Sequence, residues 1–207
     1  MSNINPSKTE KFKQYVIQLA KNPGFKHYKW FVKYHLDIVE KIALELCDIY
    51  PDADKQTVLV LVWLHDFGKI AGGSNHEEES QINQTEGRKT LLDLGFEDQF
   101  VNKVLQYVEI LNKKENLDVA PIEVKIVSSA DGASHFVGPF YTLWWYEKPE
   151  KDIDALIQDN IAKANKDFNV KIVLPEVKKA FEPRYKYFLE QRGKFPDRFL
   201  EPINPIQ

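Results

Sequence analysis

The residues of this chain that can do chemistry are few and widely spaced: His35, the adjacent pair His65-Asp66, and Asp131. Their types suit metal chemistry, because neutral imidazoles and carboxylates are ligands for divalent transition ions. His35 precedes Val39 by one helical turn and shares the apolar stripe of Val39, Ile42 and Leu46. Asp131 shares a stripe with Val124 and Val127. A carboxylate buried there without a partner costs on the order of several kcal/mol, so Asp131 requires a cation, whether a lysine, an arginine or a metal ion. Taken singly, His35 reads equally as a core histidine, and Asp131 as a capping or salt-bridged carboxylate. Taken with His65-Asp66, one metal ion satisfies all four groups.

Helices must position them. The apolar run 58–64 ends abruptly in His65-Asp66-Phe67-Gly68-Lys69. Its pattern predicts a helix over 55–68, capped by Asp54. Successive helical residues point about 100° apart. His65 and Asp66 therefore reach one ion only at a helix end or from different directions. Further helices are predicted over 11–21, stopped by Asn22-Pro23-Gly24, and over 28–49. Others follow from His76 to a C-cap at Gly95, across 100–108, and from Pro121 through Asp131. An aromatic stretch, 140–146, precedes a weakly amphipathic helix over 152–164 and a last helix over 175–192. The segment 168–173 is β-prone but too short to build a sheet on. The expected class is all-α: one helical domain over 1–207, with a motif region at 28–137 and a C-terminal helical extension at 148–193.

Composition narrows the partners. The chain has 207 residues and a formal net charge of −3, with no strongly basic arm. Charge therefore gives no indication of nucleic acid as the main ligand. The single cysteine, Cys47, excludes an internal disulfide and lies on an apolar stripe as a core residue. No apolar run reaches membrane-spanning length, and residues 1–11 lack a secretory h-region, so a cytoplasmic setting is expected. No P-loop, no Gly-x-Ser-x-Gly elbow and no cysteine–histidine dyad is present. His76-Glu77 opens like a zincin motif, but Ser80 stands where its second histidine belongs.

The order His35, His65-Asp66, Asp131 resembles the HD superfamily of metal-dependent phosphohydrolases. The resemblance extends to three local contexts: residues 34–39, residues 63–69, and the run Ser128-Ser129-Ala130-Asp131-Gly132. It covers roughly residues 28–137 and implies an HD-type helical bundle. It also implies that His35, His65, Asp66 and Asp131 bind one divalent ion, with Mn, Fe, Co, Ni or Zn suited better than Mg. The implied reaction is hydroxide attack on phosphorus, Asp66 being part of the catalytic centre, with a small phosphorylated, nucleotide-like molecule as substrate. Some members bind a second ion through two further histidines. His76 matches the first, giving a weak second ion near His76 as an open alternative. At the second position this chain has Leu111-Asn112. The Gly-Tyr-Pro signature of the cyclic-di-nucleotide branch is absent.

Other residues are candidates beside that core. Lys69, about one turn after Asp66, suits a phosphate as a point charge, or is a solvated helix-end lysine. His76 is a candidate acid or phosphate contact, and His135, one turn after Asp131, a candidate substrate contact. Glu77 to Glu79 read as dipole-favoured surface charges, with Glu77 or Glu78 as an alternative water-orienting group. The aromatic run reads as packing, with base stacking as the alternative. The expected function is hydrolysis of a phosphate ester or anhydride. The alternatives are a catalytically weak or inactive nucleotide-binding module with a structural metal, or an oxygenase on the same scaffold. A homodimer is left open.

Overall fold

The computed structural model describes residues 7–200, and no strand occurs among them. In chain order the helices are α1 (Lys8–Ala20), α2 (Asp37–Ile49) entered through a π-helical turn (Val32–Leu36), α3 (Lys55–Leu64) and the single turn α4 (Phe67–Ile70). Next come α5 (His76–Ile82), joined by the π-helical turn Asn83–Gly87 to α6 (Arg88–Asp93), and α7 (Asp98–Lys113). The chain continues with α8 (Ile122–Ser134), α9 (Phe140–Tyr146), α10 (Ile153–Lys166), the π-helical turn Asp167–Lys171 and α11 (Pro175–Glu190).

The bundle is built around α3. Val58, Val60, Leu61, Val62, Trp63 and Leu64 are all buried, so this helix is apolar around its whole circumference and has neighbours on every side. α1, α2, α7 and α8 supply them, and α2 also lies along α8. Asp54 caps α3 as its sequence position predicts, accepting from Gln56 N and Thr57 N. Cys47 is buried on α2.

The boundary that shapes the site differs from expectation. The helix foreseen over 55–68 ends at Leu64 and restarts at Phe67, with Asp66 at φ −110°, ψ 10° between the two axes. This bend removes the 100° conflict between His65 and Asp66. Gly68 makes the bend compact: a Cβ there would stand 2.2 Å from the backbone oxygen of Glu79, so only glycine lets α5 approach α4 this closely. The β-prone segment 168–173 is a π-helical turn followed by extended backbone at Ile172. None of the described helices is long and apolar enough to cross a membrane.

Candidate metal centre

His35, His65, Asp66 and Asp131 meet in space. They come from the π-helical turn before α2, from the α3–α4 bend and from α8. The Nε2 atoms of His35 and His65 each lie 3.1 Å from Asp66 Oδ2, and His35 Nε2 lies 3.8 Å from Asp131 Oδ1. His135, from the end of α8, brings its Nε2 to 3.6 Å from Asp131 Oδ1 and its ring onto that of His35, with centroids 4.9 Å apart. Two overlapping groups thus have ligand-type atoms close enough for one ion: His35, His65 and Asp66, and His35, Asp131 and His135.

Hydrogen bonds on the far side of each ring fix what the rings present. His65 Nδ1 lies 2.7 Å from the Val62 carbonyl, which only accepts, so Nδ1 carries the proton. Ser134 Oγ donates to the Asp131 carbonyl at 2.8 Å, so it accepts from His35 Nδ1 at 3.0 Å. His135 Nδ1 donates to Asp167 Oδ2 at 2.8 Å. In their neutral forms all three imidazoles therefore turn an Nε2 lone pair toward carboxylate oxygens. Lone pairs facing lone pairs repel unless a cation lies between them. His65 Nε2 shows this plainly: it is buried and without a hydrogen-bond partner, its approach to Asp66 being out of line for one. The donor set and its orphaned nitrogen fit a divalent ion.

Fixed cations hold the other face of each carboxylate. Lys69 donates to Asp66 Oδ1, and Lys171 donates to Asp131 Oδ2 at 2.6 Å. Burial alone would raise the Asp66 carboxyl, but Lys69 and His65 outweigh it and hold it well below the usual range. At Asp131 the charges of Lys171 and His135 likewise overcome burial and lower the carboxyl. Burial lowers His35 and keeps it neutral. Burial would also lower His65, but Asp66 and then Asp131 pull it upward, the mark of a negative potential at its Nε2.

Behind His135 stands Asp167, fully buried. It gathers His135, the Tyr141 hydroxyl at 3.0 Å, Lys163 at 3.1 Å and Lys171 at 3.4 Å. Burial pushes the His135 imidazole down to about 3 and the Lys163 ammonium to about 8. The serines of the 128–132 run make this possible. Ser128 Oγ donates to the Lys171 carbonyl at 2.9 Å, and Ser129 Oγ accepts from Val173 N and Leu174 N, both at 3.1 Å. Gly132 lets the turn lie against α8, since a Cβ would stand 2.7 Å from the Asp167 carbonyl.

The cluster floors a cleft of about 280 Å³ walled by Trp30, Phe31, Phe140 and Trp144. His76 is exposed on its rim. Among the glutamates the surface-charge reading holds for Glu77 and Glu78 and not for Glu79. Glu78 caps the loop before α5, accepting from Ser74 N at 2.9 Å, and Glu77 is exposed; Glu79 is the one that lines the cleft, because the glycines at 68 and 73 draw its backbone inward. Phe140 and Trp144 of the aromatic run face the cleft, while Tyr141 packs on Phe188. Lys163, Asp167, Lys171 and Glu79 were not foreseen. Charges at 163, 167 and 171, spaced four apart, read in a sequence as ordinary surface ion pairs.

The HD-domain family model matches residues 32–134, which contain His35, His65, Asp66 and Asp131. The chain belongs to the HD-domain superfamily, whose members bind divalent metals and are typically metal-dependent hydrolases. No curated protein and no solved structure matches it significantly.

Proposed function

We propose that this protein is a divalent-metal-dependent phosphohydrolase acting on a small phosphorylated, nucleotide-like substrate. The observation that carries the reading is the convergence of three imidazole Nε2 atoms on two carboxylate oxygens, with His65 Nε2 buried and without a hydrogen-bond partner. In this reading His35, His65, Asp66 and Asp131 hold the ion, and His135 is a fifth donor rather than a substrate contact, because Asp167 aims its Nε2 at the same carboxylate. Imidazole-rich ligation favours Mn, Fe, Co, Ni or Zn over Mg. When bound, the ion supplies Lewis-acid activation of water and of a phosphoryl oxygen.

The remaining residues prepare the site for an anion. Lys69 and Lys171 keep both aspartates ionised and add positive charge beside the phosphoryl position. Lys163 does the same from behind His135. The wall of Trp30, Phe31, Phe140 and Trp144 gives the organic part of the substrate an apolar surface and thins the water around the reacting group. His76 on the rim is placed to meet an outer phosphate oxygen or a weak second ion.

Elemental analysis of purified protein, combined with assay on a nucleotide panel, tests the reading. The expected result is up to one equivalent of transition metal, with phosphate release abolished by chelator and restored by Mn or Ni. Asp66→Ala should lose both metal and activity. Metal retained in full by that variant would sink the proposed centre. Silence across the panel with metal bound would favour a non-catalytic nucleotide-binding module.

A further inference from the structure

The cleft does not end at the metal centre. Past His76, Glu79 and Asn112 it opens into an outer basin of about 540 Å³, also lined by Lys113, Lys114, Lys166 and Val170. Lys114 lines both spaces. Its position is specified by the backbone: it follows the last residue of α7 in a left-handed conformation, φ 57°, and Asn116 is left-handed too, at φ 54°. Such a conformation is uncommon for lysine, and here it turns the side chain back toward the cleft.

The cations of the cleft are not equivalent. Lys69, Lys163 and Lys171 are each in contact with an aspartate. Lys114 forms no ion pair among the described residues, and its side chain's only hydrogen bond among them is to the Asn112 carbonyl at 3.2 Å. Lys166 is exposed and likewise forms no ion pair among the described residues. Glu79 is the one carboxylate on the basin wall. Burial and then the charge of Lys171 disfavour the Lys114 ammonium, while Asp131 favours it. A half-buried cation in no direct ion pair among the described residues, beside a site for a phosphoryl group, is free to receive an anion from outside.

We propose that the outer basin is a second anion subsite, in which Lys114 and Lys166 receive a second phosphate of the substrate while the first lies at the metal centre. The inference rests on the phosphohydrolase reading and specifies its substrate class: a molecule carrying two phosphates or a phosphate chain. A bland role for Lys114 is to cap α7 through the Asn112 carbonyl. The two roles predict different binding.

Equilibrium dialysis of labelled inorganic phosphate against the metal-loaded protein separates them. Two phosphates per chain are expected. Lys114→Asn, which keeps a residue tolerant of the left-handed backbone, should bind one, with circular dichroism unchanged. Inorganic pyrophosphate should displace both phosphates at a stoichiometry of one per chain. A single phosphate on the parent protein, or two retained by Lys114→Asn, would overturn the subsite. Two pyrophosphates per chain would overturn the spanning substrate, since the sites would then be independent. Failure of the metal-centre reading has a different signature: chelator would leave the total bound phosphate unchanged.

Discussion

At the scale of single residues, Asp167 decides the most. It is a buried carboxylate surrounded by His135, Tyr141, Lys163 and Lys171. Replacing it with Asn keeps the shape but takes the counter-charge from the half-buried Lys163 and one of two from the buried Lys171, which retains Asp131. Asp167→Asn should cost roughly 3–5 kcal/mol in urea unfolding. It should also weaken metal binding about 10- to 100-fold by calorimetry, because the group that orients the His135 ring is lost. His135 itself carries a pH signature. Its folded-state value of about 3 lies below the ordinary 6.5, so between those limits the unfolded chain binds the extra proton. Stability contributed by the neutral imidazole is complete above pH 6.5 and falls as the pH drops toward 3. For chelated protein between pH 6 and 4, His135→Gln should show a stability slope shallower than the parent's by about 1 kcal/mol per pH unit. Equal slopes would show that His135 is protonated in the fold.

The contrast between what was legible and what was not is sharpest among these residues. His35 and Asp131 could be picked out because each interrupts an apolar helical stripe, where a polar group needs a reason. Asp167, Lys163 and Lys171 recur every four residues, the spacing of ordinary surface ion pairs, so nothing marks them as inward-facing. Their placement follows from tertiary contacts made by Ser128, Ser129 and Gly132, about 35 to 45 residues away. Glu79 is not legible in the sequence for a related reason. Three adjacent glutamates look alike until the backbone of α5 is drawn against Gly68.

At the scale of elements, the all-α class and nearly every helix followed from periodicity and capping signals, as at Asp54 and Gly95. The break between α3 and α4 did not, because residues 65–68 continue the helical pattern and only the φ of Asp66 interrupts it. Two substitutions address these elements. Asp54→Ala removes the N-cap of α3 and should lower stability by about 1 kcal/mol without altering metal content. Gly132→Ala forces the Asp167–Lys171 turn away from α8, since the added carbon meets backbone rather than a movable side chain. It should cost roughly 1–3 kcal/mol in thermal or urea unfolding, and should release metal more readily in a chelator challenge than Asp54→Ala does. A stable Gly132→Ala protein with parental metal retention would show that the turn does not support the centre.

At the scale of the whole molecule, the family-matched segment and the functional cluster do not coincide. The match ends at residue 134, yet His135, Lys163, Asp167 and Lys171 come from beyond it. A chain truncated after Ser134 leaves Asp131 without its lysine and α8 without the turn that covers it. Such a chain should neither take up metal in calorimetry nor give a cooperative melt. The full chain should melt at a lower temperature after chelation, by the margin that binding to the native state alone confers.

The two lysines on the ligand carboxylates have one more consequence. Each occupies one oxygen of its aspartate and leaves the other facing the imidazoles, so the chain carries internal counter-ions for the charge that an incoming ion would otherwise have to neutralise. Folding and loading are thereby separable events. On the proposed reading the chain, unlike a small domain that collapses only around its zinc, is folded before its ion arrives. Which metal the proposed centre holds would then be a matter of supply and exchange rate as much as of ligand chemistry.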